Sequence, residues 1–357
     1  MPKSPSDCSA LNSHVKVRQP NTARPVPSCV QMLQRKRKSS APKRRRLKAK
    51  PTISIIGAGR LGTTLGRALH QQGYRVQAVV AVHAAHARRS AKLIGDGVRA
   101  LGISRLQELP PSDILLITTP DDVIGQVAET LSRILGPLAG PGKGTVKEKL
   151  PANRSRRVVL HASGAMSAAV LQPLKNIGFS VGSMHPLVSI NRPATDPKIF
   201  YGAFFCLEGD RLAVSVAGRI AGDLGAQKFS LRAEDKPLYH AAAVMSSGHV
   251  VSLFDIATEM LVQCGLTKER ARAVLLPLLK STLTSLISHA PAQALTGPFA
   301  RGDGATAHRH LAAINDRHLP DALAAYKLLG HRALKLAAQS GLSEKVLREM
   351  KREIDSA

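Results

Sequence analysis

Three apolar runs in this 357-residue sequence end in residues able to do chemistry. Thr119-Pro120-Asp121 follows the run Asp113–Thr118, His161-Ala162-Ser163-Gly164 follows Val158–Leu160, and Met184-His185-Pro186 follows Phe179–Ser183. Such runs read as buried strands, and in open α/β sheets ligands sit beyond the carboxyl ends of the strands. Two imidazoles over one crevice, from His161 and His185, would orient or protonate a carbonyl. Taken singly, each could equally cap a strand or satisfy a backbone carbonyl. Lys236 and His240 stand at i and i+4 of a helical segment and share one face. Lys236 as proton donor, with His240 and His185 as orienting donors, would suit a developing alkoxide or amine; the same spacing also describes an exposed surface pair. In the Gly/Pro loop Leu295–Asp303, Arg301 can clamp a substrate carboxylate and Asp303 can position it, although an Arg–Asp pair in a loop also serves structure alone. His308 and His310 lack a third spaced ligand, so no metal is expected.

The residues that a nucleotide would meet come earlier. The apolar run Ile53–Ile56 leads into Gly57-Ala58-Gly59-Arg60-Leu61-Gly62, then a helical pattern to Gln72 that stops at Gly73. In a GxGxxG between strand and helix, Gly57 permits the tight turn, Gly59 lets the backbone approach a pyrophosphate, and Gly62 lets helix and strand pack closely. Arg60 and Leu61 open the helix, whose free N–H groups and positive dipole end favour phosphate. NAD sites usually carry Asp or Glu about 20 residues after this loop. Residues 81–89 read Ala-Val-His-Ala-Ala-His-Ala-Arg-Arg, without an acid. The expected cofactor is NADP(H), with NAD(H) as the alternative. Its contacts are assigned to Gly57, Gly59, Arg60, Leu61, Gly62, Arg88, Thr119, Pro120, His161 and Ser163. Arg88 and Arg89 also fit ordinary exposed helix positions.

Strands and helices must alternate to place these residues. Arg75–Val82 reads as a second strand, Ala87–Ile94 as a helix, and Pro120-Asp121-Asp122 as a helix start. Alternation continues through Ala203–Leu207, Leu212–Leu224 and Gln227–Leu231, which implies a parallel, doubly wound α/β sheet. From Ala233 only helices are expected: Pro237–Cys264 as one helix, another capped by Thr267, another over Pro320–Ser340, and a last capped by Ser343. The organisation expected is a disordered basic tail over residues 1–50, a dinucleotide-binding Rossmann domain over 51–232, and an all-α substrate and dimerisation domain over 233–357. Gly136–Arg157 reads as a flexible loop.

The formal charge of +27 is unevenly spread. Residues 1–50 hold 14 of the 51 Lys/Arg and one of the 24 acids, leaving 37 against 23 for the other 307 residues. The tail carries no aromatics to stack on bases, so it reads as a solvated segment, and nucleic-acid binding is expected through it or not at all. The basic body favours phosphate or carboxylate ligands. No run of 18 apolar residues and no apolar N-terminal segment occur, so neither a membrane helix nor a secretory signal is expected. Cys8, Cys29, Cys206 and Cys264 are too widely spaced for a local metal or redox pair and read as reduced thiols of a cytoplasmic protein.

With these residues in view, the chain resembles a family that joins an N-terminal Rossmann-like oxidoreductase domain to a C-terminal helical domain of unknown function. The resemblance covers about Thr52 to Leu347. It rests on Gly57–Gly62, Thr119–Asp122, His161–Gly164 and Met184–Leu187, and most specifically on KPLYHAAA at Lys236–Ala243 and LTGPFARGD at Leu295–Asp303 with His310. Wider relatives are the 6-phosphogluconate dehydrogenase-like enzymes, including β-hydroxyacid dehydrogenases, ketopantoate reductases and pyrroline-5-carboxylate reductases. The resemblance implies hydride transfer and homodimers built through the helical domain. β-Hydroxyacid dehydrogenases carry Lys and Asn at i and i+4 of the first long helix; here Lys236 matches the Lys and His240 replaces the Asn. Gly248 is a second departure, where Asn is frequent, and the 136–157 loop is longer than usual. The function expected is an NAD(P)-dependent oxidoreductase acting on a small anionic carbonyl, hydroxy-acid or imine compound. The alternative is a dinucleotide-binding sensor or scaffold without turnover.

Overall fold

Side chains that alternate along an apolar strand reach opposite faces of a sheet, and here both faces are covered. The computed structural model describes residues 50–136, 157–193 and 196–356. Its strands are β1 (Thr52–Ile56), β2 (Arg75–Ala81), β3 (Arg99–Gly102), β4 (Ile114–Ile117), β5 (Val158–His161), β6 (Ser180–Pro186), β7 (Phe204–Gly209) and β8 (Gln227–Ser230). They form one sheet in the order β3-β2-β1-β4-β5-β6-β7-β8. Ile53, Ile55, Ile114, Leu116 and Leu160 pack on one face, against α1 (Arg60–Gln71), α2 (Ala84–Ile94) and α5 (Arg211–Asp223). Ile56, Leu115, Ile117 and Val159 pack on the other, against α3 (Asp121–Leu135) and α4 (Gln172–Asn176). This is the doubly wound Rossmann architecture. The strand order reverses at β1 and β4, which pair in register with Ile56 opposite Ile117, so the loops after them meet.

Three features depart from the sequence reading. β3 lies in a stretch, 96–112, that carries no strand pattern: it is a four-residue edge strand whose first residue, Arg99, is exposed. β7 runs antiparallel to β6, then β8 pairs parallel with β7. A parallel return needs a crossover of about a dozen residues, usually a helix; the described part of the 187–203 connection offers only the short helical turn Pro197–Phe200. The third departure is a break in the first long helix, which divides into α6 (Lys236–Ser246) and α7 (Gly248–Val262). Ser247 leaves helical geometry at φ −128°, ψ −73°. Ser246 and Ser247 both donate back to carbonyls four residues earlier, Ala242 and Ala243, which bends helices, and Gly248 follows.

The remaining helices are α8 (Lys268–Ser288), α9 (Pro291–Ala294), α10 (Pro298–Arg301), α11 (Gly304–Asp316), α12 (Pro320–Gln339) and α13 (Glu344–Ser356). Thr267 caps α8, its hydroxyl accepting from the Arg270 N–H. The cores of this helical part are small: Ala307, Leu334, Met350 and Ile354 in one, and Ile314, Leu319 and Ala322 in another. By contrast α7 and α8 each bury a single residue, Thr258 and Ala271. Contrary to expectation, 233–262 is long and apolar enough by composition to cross a membrane. Its break at Ser247 and the anchoring of Lys236 described below argue against a continuous span. Residues Lys50–Ala357 form one compact unit. The expected basic tail and most of the expected 136–157 loop lie outside the described residues.

Phe205 on β7 is fully buried beside Phe200, with ring centroids 5.8 Å apart. Phe205→Ala is expected to cost about 3–5 kcal/mol in urea unfolding of the intact chain, by lost transfer energy plus a cavity.

Candidate active site

The glycine turn is shaped by contact with β4. Gly57 has φ +116°, and a Cβ there would sit 2.6 Å from the Thr118 carbonyl carbon. A Cβ at Gly62 would strike the Gly57 carbonyl oxygen and the Thr118 hydroxyl. Thr118 in turn donates to the Gly57 carbonyl at 2.8 Å, tying the two loops together. Gly59 differs: nothing lies within 4 Å of a Cβ built on it, and it begins α1, whose first turn has no acid. Two of the three glycines therefore serve packing, while the third faces open space at a helix N-terminus.

Two cavities adjoin at Thr118–Pro120. One, of about 430 Å³, is mostly apolar and is lined by Gly57, Gly59, Val82, His86, Ile103 and Leu106 among others. The other, of about 570 Å³, is more polar and is lined by Gly59, Arg60, Leu61, Asp121, Ser163, Gly164, His185 and His240 among others. Gly59, Thr118, Thr119 and Pro120 border both. The Thr119 hydroxyl is buried there with no hydrogen-bond partner. Arg88 is exposed on α2 and lines neither cavity, whereas His86, two residues nearer the strand, lines the first.

The turn after β5 is built around Ser163. Its hydroxyl donates to Asp121 at 2.7 Å and accepts from the Ala165 and Met166 N–H groups. Its own N–H donates to His161 Nδ1 at 3.2 Å, so in the neutral ring the proton sits on Nε2. His161 is 1% exposed, and burial, reinforced by the Lys236 charge, pushes its pKa down to about 4. It lines neither cavity. The expectation that His161 contacts a cofactor is corrected: it supports the Ser163 turn from below.

Lys236 does not stand where the sequence reading places it. It is the first residue of α6 and has no solvent exposure. Its ammonium donates to the Ser183 hydroxyl at 2.6 Å and to the Ser163 carbonyl at 3.3 Å. Burial lowers its pKa, while Cys206, Glu208 and Asp121 oppose the shift. A group so enclosed does not face the cleft as a proton donor; it clamps α6 to β6 and to the turn after β5.

One turn along α6, His240 does reach the cleft. Its ring meets His185 edge-on, with centroids 5.5 Å apart. Both pack on Gly164: an added Cβ would strike His240 and lie 2.9 Å from His185 Cε1. His185 Nδ1 is 2.7 Å from the Tyr239 hydroxyl, a partner that carried no signal of its own within the KPLYHAAA motif. Burial, then the charges of His240 and Lys236, push the His185 pKa down to about 4.

Arg301 and Asp303 are not brought to the cleft. Arg301 is exposed at the end of α10, and Asp303 caps α11 by accepting from the Thr306 N–H. The expected substrate clamp is thus not formed within one chain; a side chain that begins a helix satisfies an otherwise unpaired N–H. His310 is bonded to the Tyr326 hydroxyl. No group of three metal-ligating side chains occurs among the described residues.

Comparison with known proteins agrees with this architecture. Residues 34–186 match a Rossmann-like domain, and residues 203–333 match the domain of unknown function DUF2520. The chain belongs to the family that joins these two domains. A "putative NADP oxidoreductase" of Bacteroides fragilis is similar in structure at TM-score 0.61 and 22% identity, over 80% of this chain and 99% of that one. A protein from Thermotoga maritima follows at TM-score 0.58 and 20% identity, covering 81% and 99%. An imine reductase from Myxococcus stipitatus, solved with NADP+, has TM-score 0.52 and 16% identity, covering 84% and 99%. No protein of curated function matches the sequence.

The buried imidazoles make stability depend on pH. Unfolded histidines take up protons below about pH 6.5, whereas His161 and His185 do so only near pH 4. Their contribution is therefore fully present above pH 6.5 and is lost as the pH falls toward 4. Urea unfolding is expected to show a loss of about 3 kcal/mol or less per histidine across that window, and His185→Gln should flatten part of the slope.

Proposed function

We propose that this protein is an NADP(H)-dependent oxidoreductase acting on a small anionic carbonyl, hydroxy-acid or imine compound. The observation that carries the reading is the open Gly59 at the start of α1, bordering both an apolar and a histidine-bearing cavity. A dinucleotide has that same polarity: an adenosine end, a central pyrophosphate and a reactive ring. The Gly57–Gly62 turn, with the N–H groups of Arg60 and Leu61, is suited to the pyrophosphate. Val82, Ile103 and Leu106 offer an apolar surface for a base, and the unpartnered Thr119 hydroxyl offers a hydrogen bond at the junction. When bound there, a nicotinamide supplies or accepts the hydride.

The chain's own residues handle the other charges. His185 and His240 line the polar cavity and would orient a substrate oxygen or nitrogen. The buried Lys236 ammonium lies behind them and favours negative charge in the cleft, as an anionic substrate requires. The first turn of α2 has no acid, and His83 and His86 lie just before it and on it, which supports NADP(H) over NAD(H). The likeness in fold to an imine reductase holding NADP+ is in keeping with this reading.

We further propose a homodimer through the helical part. Val251, Leu276, Leu278 and Ile287 are 70%, 59%, 65% and 86% exposed on α7 and α8, more apolar surface than a lone chain usually leaves to water. The free thiols of buried Cys206 and exposed Cys264 fit a reducing, cytoplasmic setting.

Titration with NADPH and NADH tests the central reading: NADPH is expected to bind at least tenfold more tightly. Gly59→Ala should weaken NADPH binding at least tenfold while leaving the unfolding midpoint near wild type. Failure of both dinucleotides to bind at about millimolar concentration would overturn the proposal. For the dimer, light scattering is expected to give twice the chain mass, reduced to one chain mass by Leu278→Glu with Ile287→Lys. A monomeric wild type at about 10 μM would contradict that part.

A further inference from the structure

The Tyr239 hydroxyl is 2.7 Å from His185 Nδ1, and this contact has a direction. Tyr239 lies on α6, held edge-on against Phe229 of β8 and against the His185 ring itself, with centroids 5.7 Å apart in each case. Cys206 on β7 is opposite His185 in the strand register, and its sulfur is near enough to the Tyr239 hydroxyl for each to shift the other's pKa. Two arrangements of protons are available to this row. In one, the thiol donates to the phenol oxygen and the phenol donates to Nδ1. In the other, Nδ1–H donates to the phenol oxygen and the phenol donates to sulfur. Sulfur is a weak donor and a weak acceptor, whereas the phenol is a strong donor and an unprotonated imidazole nitrogen a strong acceptor. The first arrangement gives the strong donor to the strong acceptor, and the second spends it on sulfur.

We propose that Tyr239 is a positioning residue that fixes His185 in the tautomer protonated on Nε2, so that a neutral imidazole offers an N–H donor to the cleft. With Nδ1 occupied by Tyr239, Nε2 is the ring nitrogen left for a ligand, and it lies on the Gly164 wall of the polar cavity. A preorganised neutral N–H stabilises negative charge developing on a substrate oxygen without itself giving up a full proton. The groups facing His185 keep the ring neutral. Lys236, Tyr239 and His240 come from α6, Cys206 from β7, and His161 from β5, and none of them is a carboxylate. Two carboxylates of the same region, Asp121 and Glu208, accept from the Ser163 hydroxyl and the Ala168 N–H. The donor's use in turnover rests on the oxidoreductase reading; the tautomer does not.

The test is long-range ¹H–¹⁵N correlation spectroscopy on the full chain labelled at histidine, with His185 assigned through His185→Gln. At pH 7 the wild type is expected to show a protonated Nε2 and a bare Nδ1, and this pattern should persist on acidification to about pH 5. Tyr239→Phe should lose the single pattern, giving a mixture of tautomers or proton uptake at higher pH. A wild-type ring protonated on Nδ1, or on both nitrogens at pH 7, overturns the proposal. So does a Tyr239→Phe protein that keeps the pure Nε2-protonated pattern. If the variant does not fold, the wild-type tautomer alone decides. NADPH added to the same wild-type sample tests the cofactor separately, because its failure to bind would leave the tautomer result intact.

Discussion

A lysine ammonium with no access to water must be held by oxygen atoms, and this requirement organises the molecule around Lys236. Its two acceptors come from different elements: the Ser183 hydroxyl on β6 and the Ser163 carbonyl in the turn after β5. Because Lys236 opens α6, the helical part is pinned to the carboxyl ends of these strands. The rest of the site follows from the helix repeat. Tyr239 and His240 arrive one turn later, against His185 and Gly164. A larger residue than glycine at 164 would push both imidazoles away. The same charge disfavours protonation of His161 and His185, so the clamp sets electrostatics as well as geometry.

Much of the sheet was legible because its signals are local. The Ile53–Ile56 run, the glycines at 57, 59 and 62, and the Pro120-Asp121-Asp122 helix start each state their structure within a few residues. The strand-end residues were also legible as a group, since the alternation of strands and helices brings them to one edge. What the sequence could not convey is orientation. The i, i+4 spacing of Lys236 and His240 places them on one face, but only tertiary packing decides that Lys236 turns inward while His240 meets the cleft. Asp303 resembled a ligand in the sequence because a helix cap and an anion partner use the same residue type. The reversed direction of β7 goes with a connection whose described residues hold no crossover helix, a property of the connection rather than of the strand. Tyr239 was hidden inside its motif, since its role lies in a partner 54 residues away.

The helical part poses a different constraint. Its described cores are small clusters around Leu334 and Ile314, yet α7 and α8 leave Val251, Leu278 and Ile287 mostly in water. Apolar area of this kind gains stability when it is removed from solvent. The proposed second copy of the chain would supply such a cover for the bent α6–α7 segment, whose first residue is already committed to the sheet. The α6 helix, which carries Lys236, Tyr239 and His240, leads through the Ser247 break into the apolar α7, so the proposed dimer would place its interface next to the site.

In the proposed function one dinucleotide would span the two cavities that meet at Thr118–Pro120. A crystal structure determined with NADPH tests it most directly. Adenosine is expected among Val82, His86, Ile103 and Leu106, pyrophosphate on the Gly59–Leu61 N–H groups, and the nicotinamide end toward Gly164, His185 and His240. A bound dinucleotide that leaves the Gly59 turn empty, or that directs its nicotinamide away from those histidines, would contradict it.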